Sequence, residues 1–306
     1  MTSLFVALSD NVLYIKSEID IDSRRRLRMY RKAEIIYCPS QNDALRELLS
    51  SYNVRFTDNG NVCKFTLNAD APDSALIIAK AEHLSATILY SWQFTPQEIA
   101  DAQWYLMESR NGKIESADDK YTFTFGCLKG RDELGTAHYR HKWQKAPYCV
   151  RKDVKWNGKH QIYGDNAGGL HTFFCSGHAK GILQENVSGL EFFSVLRTDD
   201  RTPIADAYQL RAVQFLPNEA LILPSDAYVE VCPQCGEKRF MFSHSGLDYI
   251  CLKKEYISDD CDIYETEDFF GWGFGYRLVI VSKKMYLLLA EKLKERGLTF
   301  TPIKVL

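Results

Sequence analysis

Val231-Cys232-Pro233-Gln234-Cys235-Gly236-Glu237-Lys238-Arg239-Phe240 is a Cys-x-x-Cys-Gly turn with the spacing of a zinc knuckle. Two residues between the sulfurs let one tight turn aim both thiolates at a single ion, and Gly236 can take the positive φ that such turns need. One knuckle supplies half of a tetrahedral site. The other half is expected at Cys175-Ser176-Gly177-His178, the only other place where a cysteine is followed at this spacing by a cysteine or histidine. Cys175, His178, Cys232 and Cys235 together would make a three-Cys, one-His set of the structural zinc kind. His171, Cys251 and Cys261 stand close enough to be alternatives to His178.

Outward from the knuckle the chain reads as short strands. Residues 190–196, 208–216, 220–223 and 228–231 alternate or run apolar in the strand manner, and 171–174 leads as a strand into Cys175. Beyond residue 249 the chain turns acidic over 258–270. There Asp259, Asp260 and Asp262, mixed with Phe269 and Phe270, are candidates to steer a basic protein partner and anchor it. The end is a β-α-β unit. Residues 276–281 form its first strand, Ser282 caps a helix with Met285, Leu288, Leu289 and Leu293 on one stripe, Gly297 closes that helix, and 298–306 returns as a strand.

Upstream, Thr95-Pro96-Gln97-Glu98 places a capping hydroxyl, a proline at the first helical position and a reciprocal glutamate in order. The helix it starts is expected to run to about Glu108, with a domain boundary just before it. Residues 1–92 then form an N-terminal domain mixing helices and strands, including a hairpin within 4–15 and helices over 43–52 and 74–83. Residues 93–306 form a larger, mostly β domain with the knuckle. The fold class is therefore α+β. Two other stretches invite chemistry. Residues 24–32 are a basic run that can contact phosphates. His138 and His141, three apart, would meet on one face of a helix but bring no carboxylate with them.

The totals narrow the options. A chain of 306 residues with 45% hydrophobic and 25% charged residues can bury a substantial core. Its net charge of −2 argues against a generic nucleic-acid or anionic-membrane binder. No run approaches the roughly 18 apolar residues of a membrane span, and no secretory leader is evident, so a cytoplasmic location is expected. Of nine cysteines, the six outside the ligand-type spacing read as small buried hydrophobes.

Three pieces in this order resemble the bacterial double-CXXCG-motif family and related immunity proteins of polymorphic toxin systems. They are the helix start Phe94-Thr95-Pro96-Gln97-Glu98-Ile99-Ala100-Asp101-Ala102, the knuckle Cys232-Pro233-Gln234-Cys235-Gly236, and the tail from Val279-Ile280-Val281-Ser282 to Gly297-Leu298-Thr299-Phe300-Thr301-Pro302-Ile303. The chain departs from that pattern at Cys175-Ser176-Gly177-His178, where a full CXXCG would stand. The resemblance implies a cytoplasmic, non-enzymatic protein that binds and neutralises a cognate toxin, with zinc in a structural role. The alternatives are a zinc-ribbon nucleic-acid-binding protein using 24–32 and 138–145, and a metal-dependent hydrolase using His138, His141 or His171.

Overall fold

The structure, a computed structural model, describes residues 30–37, 43–58, 63–84, 86–109, 112–114, 122–131, 137–165, 172–223, 227–242, 250–271 and 275–306. The expected hairpin within 4–15, the basic residues before Tyr30, and His171 lie outside them. It is a mixed α/β chain in which strands predominate.

The first elements are β1 (Tyr30–Tyr37), α1 (Asp43–Ser51), β2 (Phe56–Asp58), β3 (Cys63–Asn68), α2 (Ser74–His83) and β4 (Thr87–Gln93). They form one antiparallel sheet in the order β2-β3-β1-β4. Along β3 the side chains alternate buried and exposed, the mark of a sheet with one covered face. That face, with Ile35 and Phe65, packs on Leu45 and Leu49 of α1 and Ile77 and Ala81 of α2.

Next come α3 (Pro96–Asp101), β5 (Trp104–Ser109), β6 (Gly112–Ile114), β7 (Phe123–Arg131), β8 (Ala137–Gln144), β9 (Cys149–Val150) and β10 (Ile162–Asp165). Then follow β11 (Phe173–Cys175), α4 (Gly177–Asn186), β12 (Leu190–Arg197), β13 (Pro203–Ala212), β14 (Gln214–Leu216) and β15 (Leu221–Ile222). The last elements are β16 (Ala227–Val231), β17 (Lys238–Phe242), β18 (Cys251–Leu252), β19 (Ile263–Thr266), β20 (Phe269–Phe270), β21 (Val279–Ser282), α5 (Lys283–Leu287) and β22 (Leu298–Val305). After α5 the helix continues as a π-helical turn over Leu288–Lys292.

Two large sheets carry this part of the chain, one ordered β6-β10-β11-β13-β12-β9 and one β14-β19-β21-β5-β22-β18-β15. A single core joins residues of both, Phe173, Cys175 and Leu210 from the first and Tyr105, Met107, Val279 and Val281 from the second, with Leu183 of α4 and Met285 and Leu289 near α5 between them. The outer faces are covered as well. Phe174, Tyr163 and Val195 enter one outer core with Phe123 and Tyr148, and Leu106, Ile280 and Ile303 enter another with Tyr264 and Phe270.

Burial on both faces explains where the helix starting at Thr95 departs from expectation. The capping box forms, with Glu98 N–H donating to Thr95 Oγ1 at 3.1 Å and Thr95 N–H to Glu98 Oε2 at 2.9 Å. Yet the helix stops at Asp101 instead of reaching Glu108, and Trp104–Ser109 is a strand. Tyr105, Leu106 and Met107 are buried in succession. A two-sided strand gives an uninterrupted apolar run that periodicity cannot separate from a helix.

The same strand changes the C-terminal unit. β21 and β22 run parallel to each other but are not neighbours, because β5 lies between them and pairs antiparallel with both. Ser282 caps as expected, accepting from Met285 N–H at 3.2 Å. The residue in the left-handed region that follows the helix is Lys294, at φ 52, rather than Gly297.

Beside Lys294, Glu295 is buried and accepts a hydrogen bond from Gln161 N–H at 2.5 Å. Burial pushes its carboxyl up to about 7, against the opposing pull of the Gln161 and Ile162 N–H groups. A carboxyl raised above its ordinary value favours the fold while protonated, so its contribution is present below about pH 4 and lost as pH rises through about 7. Glu295→Gln keeps the acceptor and removes the charge. Thermal melts are expected to show the variant more stable than the parent at pH 8 and equal to it at pH 4.5.

Candidate metal centre

The knuckle forms as its spacing dictates. β16 and β17 pair antiparallel from Ala227↔Phe242 to Val231↔Lys238, and the turn between them is closed by Gly236 N–H to Cys232 O and Cys232 N–H to Glu237 O, both at 2.9 Å. Gly236 sits at φ 77, where a side chain would be strained. Cys232 is buried and Cys235 exposed.

The other half of the set comes from the two-stranded β7–β8 hairpin. Cys127, His141, Cys232 and Cys235 each offer a ligand atom, and these atoms lie within 4.8 Å of one another. A tetrahedral zinc with bonds of about 2.3 Å to sulfur spaces its ligand atoms roughly 3.8 Å apart, so a small adjustment closes this group on one ion. The four residues can hold a metal ion.

Each hairpin ligand is aimed by a local device. Cys127 lies in the left-handed region at φ 55, unusual for a strand residue, just before the pairing of β7 with β8 slips between Leu128 and Gly130. Such irregularities re-aim a side chain out of the regular pleat. His141 is nearly fully buried, with Nε2 3.3 Å from Cys235 Sγ and Nδ1 3.4 Å from Glu237 Oε2. A carboxylate behind a ligating imidazole fixes its tautomer and orientation. Trp143 stacks on the imidazole at 5.1 Å between centroids. Gly126, directly across from His141, makes room for that indole: a Cβ there would stand 2.4 Å from Trp143 Cζ3.

The two halves are also joined directly. Gln234 Nε2 donates to Leu128 O at 3.1 Å, Arg140 Nη1 pairs with Glu230 at 3.0 Å, and an Arg239 guanidinium N–H donates to Arg140 O.

Electrostatics suit a cation. Burial pushes the Cys127 thiol up to about 12, helped by its hydrogen bonds to Cys235 and Cys232 and by their charge. Burial also raises Cys232, but hydrogen bonds from His141, from the Gln234 and Cys235 N–H groups and from the Cys235 thiol outweigh it and bring Cys232 down to about 6. Three sulfurs this close cannot all ionise unaided, whereas a divalent ion deprotonates its thiols outright.

The expected partners of the knuckle lie elsewhere. Cys175 is fully buried in β11, in the core between the large sheets, where burial drives its thiol far above the ordinary range. Ser176 is a helix cap instead of a knuckle residue, its Oγ accepting from Ala179 N–H at 3.1 Å, and His178 is exposed on the first turn of α4. The strand-to-helix junction sends Cys175 inward and His178 outward. Among the alternatives, Cys251 is buried in β18, and Cys261 donates to Ile263 O at 3.0 Å within a core. The segment holding His138 and His141 is strand β8, so the helix that would have paired them is not formed.

The acidic segment is also reassigned. Phe269 and Phe270 are buried, the latter completely. Asp262 is buried too, accepting from Ser188 N–H at 3.0 Å, Ser282 Oγ at 2.7 Å and Lys284 Nζ at 3.1 Å. These three side chains are packed inside the fold, whereas Asp259 and Asp260 are exposed.

Among the described residues no helix is long and apolar enough to cross a membrane. Compared with protein-family models, curated proteins and solved structures, the chain matches none of them.

Metal analysis of untagged protein separates the two ligand sets. Cys127→Ser, His141→Ala, Cys232→Ser and Cys235→Ser are each expected to lose most of the bound metal. Cys175→Ser and His178→Ala are expected to retain it.

Proposed function

We propose that this chain is a non-enzymatic protein-binding protein built around a structural zinc ion held by Cys127, His141, Cys232 and Cys235. The observation that carries the reading is the donor set: three sulfurs and an imidazole, all from the protein, stand within 4.8 Å of one another, and together they would supply the four ligands of a closed structural zinc site. Zinc there would supply a cross-link between β7–β8 and β16–β17. His141 is one of the three histidines, with His138 and His171, on which a hydrolase reading would rest, and its place in a closed donor set removes it from that role.

A partner-binding role is supported by the surface beside the centre. β16 is the edge strand of the sheet β16-β17-β20, and Tyr228, Val229 and Val231 on it are 44%, 45% and 54% exposed. Apolar side chains on an unpaired strand edge are a receptive surface for another chain. The resemblance to double-CXXCG-motif and immunity proteins supplies the class of partner: a toxin whose active site the bound protein would occlude.

A zinc-ribbon nucleic-acid binder is the second reading. A cleft of about 810 Å³ favours it, lined by Arg151, Lys152, Lys155, Arg197 and the Asp153 that pairs with Arg197 at 2.9 Å, with Trp156 stacked on Tyr163 at 5.1 Å among its lining residues.

The test is protection. Co-expressed with a bacterial toxin that it neutralises, the chain is expected to restore growth, and Val229→Glu/Val231→Glu is expected to abolish protection while keeping its zinc. Loss of zinc on chelation is expected to lower the melting temperature sharply, since binding free energy at such a site is folding free energy. Absence of protection, together with affinity for single-stranded nucleic acid that falls steeply with salt, would transfer the conclusion to the second reading.

A further inference from the structure

A second built site lies against the metal-bearing hairpin. A cavity of about 150 Å³ opens between β8, β13, β19 and the segment carrying Arg277. Lys142, Arg211 and Arg277 line it, and the one carboxylate among its described lining residues is Glu265, leaving an excess of two positive charges. Gln144 and Gln209 face it with their amides locked by reciprocal hydrogen bonds of 2.9 and 2.8 Å.

The cations are held in place. The Arg277 guanidinium lies between two rings, 4.9 Å from the Phe215 centroid and 5.0 Å from that of Phe269, with Nη1 donating to Thr266 O at 3.0 Å. The Lys142 ammonium sits 4.2 Å from the Phe123 centroid. Glu265 accepts from Ala212 N–H at 3.2 Å and is also attracted by Arg211 and Arg277. Among the described residues the Arg211 side chain makes no hydrogen bond or direct ion pair; Glu265 attracts it across the cavity, which leaves its N–H groups for a ligand.

Oriented guanidiniums in a partly enclosed space match the planar, bidentate geometry of carboxylate and phosphate oxygens. Size narrows the class further, since a cavity of about 150 Å³ holds a molecule about as large as benzene. We propose that this cavity is a binding site for a small oxyanion, a phosphate or a short carboxylate, held by Arg211 and Arg277 with Lys142 supplying further positive charge.

Calorimetric titration of the full, metal-loaded chain tests this, with inorganic phosphate and with acetate in separate runs at constant ionic strength and with chloride as the blank. Saturable binding of one of them is expected, weakened about ten-fold or more in Arg211→Gln, as loss of a charge-assisted contact implies. Tighter phosphate identifies a phosphate site and tighter acetate a carboxylate site. Glu265→Gln removes the competing negative charge while keeping the acceptor for Ala212 N–H, and is expected to bind the anion more tightly than the parent. No saturation with either anion up to about 10 mM overturns the proposal. So does binding that Arg211→Gln leaves unchanged, or that Glu265→Gln weakens.

Discussion

Everything in the larger part of the molecule hangs on strand β5. It stands between β21 and β22, which come from the end of the chain, and hydrogen-bonds to both. Tyr105 and Met107 enter the core between the two large sheets, and Leu106 enters the core behind. Tyr105 also stacks on Tyr286 at 4.3 Å, and its hydroxyl donates to Ile99 O at 2.6 Å, tying the capped helix α3 to the sheet. A strand that must satisfy two cores leaves little freedom in register, because a slip by one residue would exchange its faces.

The smaller sheets have less of such support, entering the outer cores through Phe123 of β7, Phe240 of β17 and Phe270 of β20. β7 and β8 form a two-stranded sheet and β16, β17 and β20 a three-stranded one, and a lone hairpin in water is marginal. Their mutual ties are the direct contacts around Arg140, Gln234 and Arg239 and the ligand cluster, in which His141 and Cys235 meet across 94 positions of sequence. A bound ion would close that loop and turn repulsion between crowded thiols into attraction, adding a cross-link to the apolar contacts of Phe123, Phe240 and Phe270.

Strand alternation lets β8 serve two sites. His141 belongs to the ligand cluster and carries the stacked Trp143, while Lys142 and Gln144 line the cationic cavity and pack towards Phe123. Trp143 borders both, as it also lines the cavity. The ligand centre and the anion site are thus successive residues of one strand, and a disturbance of its register would reach both.

The sequence by itself determined the local chemistry. Cys232, Cys235 and Gly236 had to form a ligand turn because their spacing and conformational needs lie within a few residues. Thr95, Pro96 and Glu98 had to start a helix, and α1 was legible in its apolar stripe, for the same reason. Only the tertiary structure decided which residues complete the turn. Cys127 and His141 face it because β7 and β8 pair in one register with a left-handed residue at 127, and pairing register leaves no trace in residue spacing. Cys175-Ser176-Gly177-His178 carried the better motif and lost the role because Ser176 caps a helix there, while Phe269 and Phe270 went inside as apolar rings and Asp262 because Ser188, Ser282 and Lys284 supply its hydrogen bonds. Local rules act through bonds between near residues; the site was chosen by packing between distant ones.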